Sequence, residues 1–425
     1  MNQTLQIFIF VLITFELSAQ SFSSRPPPAF LSPVLVAPKP PTLAEFRTQN
    51  LINAQSTNPG ETKTKVELKQ DQQQNELTNG VEDIHTNYAF AEVNNAATEI
   101  YKQAALELNK MLIGNQNLSL KRAVFLVENA YIDNYYTYDV YCSQIKQEID
   151  FIKSLMKEEG FKEDNDVAKK YFLQKMFSDT LFLRNSGGKI TFTHLPYRYD
   201  FDDPFAEYDW QKMFVTKLLR TKMGQCHSMP LLYLILAEEL NVEAWLSLSP
   251  QHSFIKIQVN HDSWYNFETT NGNYSSDSWI LSSSFIKSDA VKNKIYLDTI
   301  GRKKTIAYCL NDLANGYKTK FGDSEFTFQC ALKSLEFFPT NIFAVQTIAN
   351  YDTKLFDYVA NQLGKPSTDK FYLYPKLQIM YNNMKNNYRQ ISEAGYEEIP
   401  KDIYKSWLKS YEQEKTKQPV KTIRP

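Results

Sequence analysis

The sequence predicts an α+β fold, in which one apolar helix packs on a small antiparallel sheet and further helices flank this core along the chain. Residues 227–240 form an almost continuous apolar stretch. Three short segments rich in β-branched and aromatic residues follow it, at 243–249, 252–259 and 264–270. Before and after this central part, apolar residues recur three or four positions apart, which is the period of an amphipathic helix.

The same periodicity sets the expected bounds of the outer elements. Before the core we expect a short strand at 190–192 and helices at 89–112, 119–133, 138–159, 167–179 and 211–219. After the core we expect helices from about residue 305 onward, among them 343–363, 374–390 and 401–414. The motifs NDLANGY and CALKSLEFFPTN in this part resemble one helical hairpin of the tetratricopeptide-repeat type.

The first residues indicate export. Residues 1–19 contain the apolar run QIFIFVLITFELSA, which ends in small residues and is short for a membrane span, so we expect a cleaved signal peptide and a periplasmic or secreted protein. The alternative is an uncleaved membrane anchor. Residues 20–85 are rich in Pro, Gln and Asn, which predicts a disordered linker. The expected domains are then 86–300, the α+β domain with its N-terminal helices, and 301–425, a helical region.

The charge balance excludes one class of partner. The chain carries 47 Lys and Arg against 48 Asp and Glu, without a basic stripe, so we expect no nucleic-acid binding. After the predicted signal peptide no segment has the length and apolar character of a membrane span. Four cysteines are too few for a disulfide scaffold. Cys309 and Cys330 are expected on facing helices, either as two buried thiols or as one disulfide.

Cys226 is the strongest candidate for chemistry. Pro230 has no N–H and is tolerated only in the first turn of a helix, so the apolar helix begins beside Cys226, and Gly224 is expected to give the chain the freedom to enter it. A thiol at a helix N-terminus lies near free N–H groups and the positive end of the helix dipole, which favour the reactive thiolate. The backbone N–H of Cys226, and less strongly Gln225, are candidate oxyanion donors.

A thiolate nucleophile needs a base, and the base needs an orienting group. His252 opens the second strand, and a hairpin centred on Asn260 sets Glu268 opposite it on the same face. We therefore expect His252 to be the base and Glu268 to orient it. Asn266, on the same face of the strand, is the rival orienter.

The order of these residues resembles the transglutaminase-like superfamily of papain-fold cysteine enzymes. The resemblance covers residues 222–272, with Gly224-x-Cys226, the apolar helix, His252 at the head of a strand, and the aromatic strand WYNFETT. It implies that Cys226 is the nucleophile, His252 the base and Glu268 the acid of a catalytic triad. Glu268 stands where the family usually has Asp, and Thr269 where Pro is common.

The resemblance implies a cysteine-dependent acyltransferase or hydrolase that acts on a protein or peptide through an acyl-thioester. Transamidation, deamidation and peptide hydrolysis all remain open. The alternative is an inactive relative that serves as a binding scaffold and contacts a protein partner through its C-terminal helices.

No cofactor or metal is expected. The residues Cys226, His227, His252 and His261 lack the spacing of a zinc site, and His227 is expected at the surface or in a substrate cleft. The acidic residues of RYDFDDPFAEYDW match no calcium loop and are expected to be solvated.

Overall fold

The structure is a computed structural model that describes residues 86–260, 263–284 and 286–397, together with residues 406, 409, 410 and 413. The predicted signal peptide and linker lie outside these residues, as does most of the helix predicted at 401–414. The described part is mostly helical and contains three small sheets, which confirms the α+β class in its general form. None of the helices described there combines the length and the apolar composition that a membrane crossing requires.

Four helices open the described chain, close to the expected positions. They are α1 Ala96–Leu112, α2 Leu120–Tyr131, α3 Tyr138–Glu158 and α4 Asp166–Ser178. The first begins seven residues later than the periodicity suggests. Its start is fixed by Asn95 and Thr98, each of which accepts a hydrogen bond from the backbone N–H of the other.

Short elements then lead to the core. These are the hairpin strands β1 Leu181–Arg184 and β2 Ile190–His194, then β3 Arg198–Tyr199, a 3₁₀ helix at Trp210–Met213, α5 Val215–Thr221 and β4 Met223–Gly224. The single helix predicted at 211–219 is divided, because Phe214 is extended. The Glu128 carboxylate accepts the N–H groups of Val215 and Thr216 and thereby begins α5 after this break.

The central helix lies against an antiparallel sheet. The elements are α6 Ser228–Glu239, β5 Trp245–Ser249, β6 His252–Asn260, β7 Ser263–Glu268 and β8 Asn273–Ser275, with strand order β5-β6-β7-β8. Residues 228–237 of α6 are all buried, which explains why this helix is apolar on every side. The fourth strand has only three residues and no alternation, so the sequence did not indicate it.

The remaining helices follow the sheet. They are α7 Asp277–Ser283, α8 Ser288–Lys292, α9 Arg302–Phe321, α10 Glu325–Phe337, α11 Ile342–Gln362, a 3₁₀ helix at Thr368–Leu373 and α12 Pro375–Glu393. Besides packing on α10, α9 packs on α1 and α2, where Tyr317 meets Tyr101 edge-to-face with ring centroids 5.3 Å apart. One continuous core therefore contains residues of both regions that the sequence separates at residue 300. Cys309 and Cys330 are buried free thiols.

Candidate active site

The nucleophile candidate lies immediately before the central helix. Helix α6 begins at Ser228 with His227 as its N-cap, so Cys226 precedes the cap by one residue. Pro230 is the third helical residue, a position at which a backbone N–H has no partner within the helix. The expected placement of Cys226 at a helix N-terminus is thus confirmed.

Close packing shapes the turn before the thiol. A Cβ at Gly224 would lie 2.7 Å from Ser228 Oγ and 2.9 Å from Leu218 Cδ1, so a larger residue does not fit. The φ angle of Gly224 is not in the left-handed region, and the role of this glycine is therefore space and not the backbone freedom that the sequence suggested. Ser228 Oγ also accepts the Gln225 N–H at 3.0 Å, which closes the turn around Cys226.

The imidazole of His252 lies between the other two predicted site residues. Its Nε2 is 2.7 Å from Glu268 Oε2. The Cys226 side chain lies within electrostatic reach of the ring, and its thiol donates to the backbone carbonyl of the neighbouring Gln251 at 3.7 Å. Since Nε2 is engaged with Glu268, Nδ1 is the nitrogen available to the thiol. The structure therefore brings Cys226, His252 and Glu268 together in the order that a nucleophile, a base and an orienting acid require.

The expected register of the hairpin is wrong by two positions. Ile255 pairs with Phe267, so the residue opposite Glu268 is Phe254, and His252 lies two residues further along β6. His252 and Glu268 still share a face, because side chains alternate along a strand. Because His252 and Glu268 are diagonal and not directly opposite each other, the side chain must reach across a longer distance. The extra methylene of Glu, compared with Asp, provides this reach.

Glu268 is held on both of its oxygens. Its side chain is buried, Oε2 meets His252, and Oε1 accepts a hydrogen bond from Ser275 Oγ at 2.9 Å. Ser275 lies on the unpredicted strand β8, so the sequence analysis missed it. The carboxylate is therefore fixed in orientation relative to the ring.

The electrostatics of His252 favour its charged form. Burial by itself lowers the pKa of His252, but the Glu268 carboxylate and the Cys226 side chain outweigh it and raise the pKa to about 10. The ring thus carries a proton at neutral pH. A protonated imidazole at this position can donate a proton to a leaving group.

Two other sequence candidates are used elsewhere. Asn266 Nδ2 donates to Asp277 Oδ1 at 2.8 Å, so this amide does not orient His252. The Gln225 amide is buried, and its Nε2 donates to the carbonyls of Asp200 and Asp203 at 3.3 and 2.9 Å. Gln225 is therefore not an oxyanion donor in this structure, and the prediction for its side chain is wrong.

Hydrogen bonds and ion pairs within the protein hold the acidic loop in place. Asp203 accepts the backbone N–H groups of Glu207, Tyr208 and Asp209, and Asp200 is buried and paired with lysines of α5 and the 3₁₀ helix. The prediction of a solvated loop is therefore wrong for Asp200. In the ranges described, no three His, Cys, Asp or Glu side chains are placed to hold a metal ion.

A second group of polar residues surrounds His227, the residue after Cys226. His227 Nε2 is 3.4 Å from Asp312 Oδ2 on α9, and its ring lies against Tyr308 with centroids 5.9 Å apart. Burial lowers the pKa of His227 to about 4 and, together with Glu128, raises the pKa of Asp312 well above its usual value. These contacts attach α9 to the residue next to Cys226, and no sequence pattern predicts them.

Comparisons with known proteins add one structural likeness. No family model and no curated protein matches the chain. Among solved structures, the chain is similar to the crystal structure of menin that reveals the binding site for Mixed Lineage Leukemia protein. The two share 14% identity and a TM-score of 0.41, over 72% of this chain and 74% of that one.

Proposed function

We propose that the chain is an exported cysteine enzyme of the transglutaminase-like type, which acts on amide bonds through an acyl-thioester at Cys226. The observation that carries the proposal is the position of His252, which is 2.7 Å from Glu268 and directly follows Gln251, whose carbonyl accepts from the Cys226 thiol at 3.7 Å. The packing of α6 on the sheet that bears His252 agrees with a core of this type.

The chemistry follows from these positions. The Cys226 thiolate attacks the carbonyl carbon of an amide, and the proton held by His252 passes to the leaving amine. Glu268 keeps the charged ring oriented throughout. The thioester then passes its acyl group to an amine, which gives transamidation, or to water, which gives deamidation or peptide hydrolysis.

Thiol reactivity tests the proposal without a known substrate. Iodoacetamide should modify Cys226 faster than the partly exposed Cys142, the internal reference, with a rate that depends on His252. His252→Ala should slow Cys226 alone. Equal, slow alkylation of both thiols in the unaltered protein would refute the proposal.

A peptide survey then identifies the reaction. Mass spectrometry of a mixed peptide pool should reveal deamidated, amine-linked or cleaved peptides that are missing after incubation with Cys226→Ala. Glutamine-containing and glutamine-free pools, each with and without an added primary amine, separate the three outcomes. If both proteins give the same products, the thiol performs no such chemistry.

A further inference from the structure

The attack of a thiolate on a carbonyl places negative charge on the former carbonyl oxygen, the oxyanion. Acyl transfer depends on hydrogen-bond donors aimed at this oxygen. Among the described residues, the backbone N–H of Cys226 has no acceptor, so it is free to be one donor. The Gln225 side chain is excluded, because its amide is occupied by the acidic loop.

Tyr308 of helix α9 lies next to this position. Its ring is 5.9 Å from that of His227, the residue after the nucleophile, and 6.1 Å from Phe343, which supports its other side. The phenol is close enough to Cys226 for the two groups to interact electrostatically. Within the described ranges, no group hydrogen-bonds the Tyr308 hydroxyl.

The surroundings of Tyr308 keep its hydroxyl protonated and fix the position of its helix. Burial raises the pKa of Tyr308 well above its usual value, so the phenol keeps its proton at neutral pH. Asp312 lies one helical turn further along α9, and its 3.4 Å contact with His227 attaches the helix to the nucleophile turn.

We propose that Tyr308 is a catalytic residue of this site, whose hydroxyl donates the second hydrogen bond to the oxyanion. As the C–S bond forms, the electrons of the carbonyl double bond move to oxygen, and this oxygen accepts from Cys226 N–H and Tyr308 O–H without taking either proton. The double bond then re-forms and the leaving group departs with the electrons of its broken bond. The inference rests on the proposed function, and it makes the C-terminal helical region a part of the site.

Two reagents distinguish a loss of oxyanion stabilisation from a loss of thiolate reactivity. Iodoacetamide alkylates sulfur by direct displacement and forms no oxyanion, whereas p-nitrophenyl acetate acylates sulfur through a tetrahedral oxyanion and releases p-nitrophenolate. Both rates at Cys226 are measured on the full chain, with Cys226→Ala subtracted as background. Tyr308→Phe removes only the hydroxyl, and Tyr317→Phe removes a buried hydroxyl from the same helix as the matched control.

Tyr308→Phe should slow acylation at least about tenfold, since loss of one oxyanion donor costs about 10²–10³ in other enzymes, and should leave alkylation within about twofold. Tyr317→Phe should change neither rate. Equal slowing of both reactions would show that the hydroxyl supports the thiolate or the local fold, and unchanged acylation would show that it contacts no oxyanion. Either result overturns the inference alone, while a Cys226 inert to both reagents in the unaltered protein overturns the proposed function with it.

Discussion

Replacing Glu268 by Gln removes one negative charge beside His252 and keeps the shape and an acceptor oxygen. The two side chains meet at 2.7 Å, and both are largely withdrawn from solvent. An opposite charge at such a distance moves a pKa by about 1–3 units, or about 1.4–4 kcal/mol. The pKa of His252 should therefore fall from about 10 to a value about 1–3 units lower.

NMR titration of the imidazole signals measures this shift directly. The chain has five histidines, and His227 is an internal contrast because its pKa of about 4 keeps it neutral over most of the titration. Cys226→Ser is measured for comparison, because it removes the other side chain that raises the pKa of His252 and so shows how much of the shift Glu268 causes alone. A His252 pKa in Glu268→Gln within about half a unit of the original would refute the electrostatic account of the site.

The same shift predicts how stability depends on pH. The pKa of His252 is higher in the folded protein, about 10, than the ordinary 6.5, so the folded state gains stability from protonation below pH 6.5. This gain is lost as the pH rises through 10. The difference in unfolding free energy between the original protein and Glu268→Gln should shrink over that interval, as measured by urea denaturation.

Three further predictions concern the frame around the site. Burial raises the pKa of the Glu128 carboxyl from 4.5 to about 7. The free energy of unfolding of the original protein, compared with that of Glu128→Gln, should therefore fall by about 3 kcal/mol as the pH rises from 4.5 to 7. Urea denaturation of both proteins over this pH range measures the difference. Gly272→Ala should lower the free energy of unfolding by more than about 3 kcal/mol in thermal unfolding, because the new Cβ would lie 2.6 Å from a backbone atom. Gly188→Ala should lower it by about 1 kcal/mol, because Gly188 has a φ of +77° but open space around it. Equal losses in the two variants would contradict this. Thiol counting with a disulfide reagent should find Cys309 and Cys330 protected in the native protein and reactive after denaturation.

Much of the fold follows from local sequence signals. The apolar periodicity predicted the bounds of most helices to within a few residues, because amphipathic stripes and helix caps depend on residues that are close in sequence. Pro230 predicted the start of the central helix to within two residues, since the helix begins at Ser228 and not at Cys226. The predicted hairpin register was wrong because the hairpin is closed by the pair Asn260 and Ser263 and is not centred on Asn260. An irregularity between Gln258 and Asn260 changes the pairing by one more residue, which no alternation pattern reveals.

The second half of the site depends on contacts that no local sequence pattern indicates. Ser275 reaches Glu268 from a strand of three residues, and Gln225 is occupied by a loop that joins it only in the fold. Tyr308 and Asp312 lie on a helix whose local pattern indicates a repeat-like hairpin. Their contacts with His227, the residue after Cys226, are set by the packing of α9 and not by any motif.

The packing of α9 on α1 and α2 also bears on how the chain is made. These two helices emerge early from the ribosome, while the helix that covers Tyr101 follows only after the whole sheet. Until then the faces of α1 and α2 that pack on α9 lack this native partner, and contacts of such long sequence separation form slowly. A newly made chain therefore completes its core, and the surroundings of Cys226 with it, only once residues beyond 300 have been synthesised.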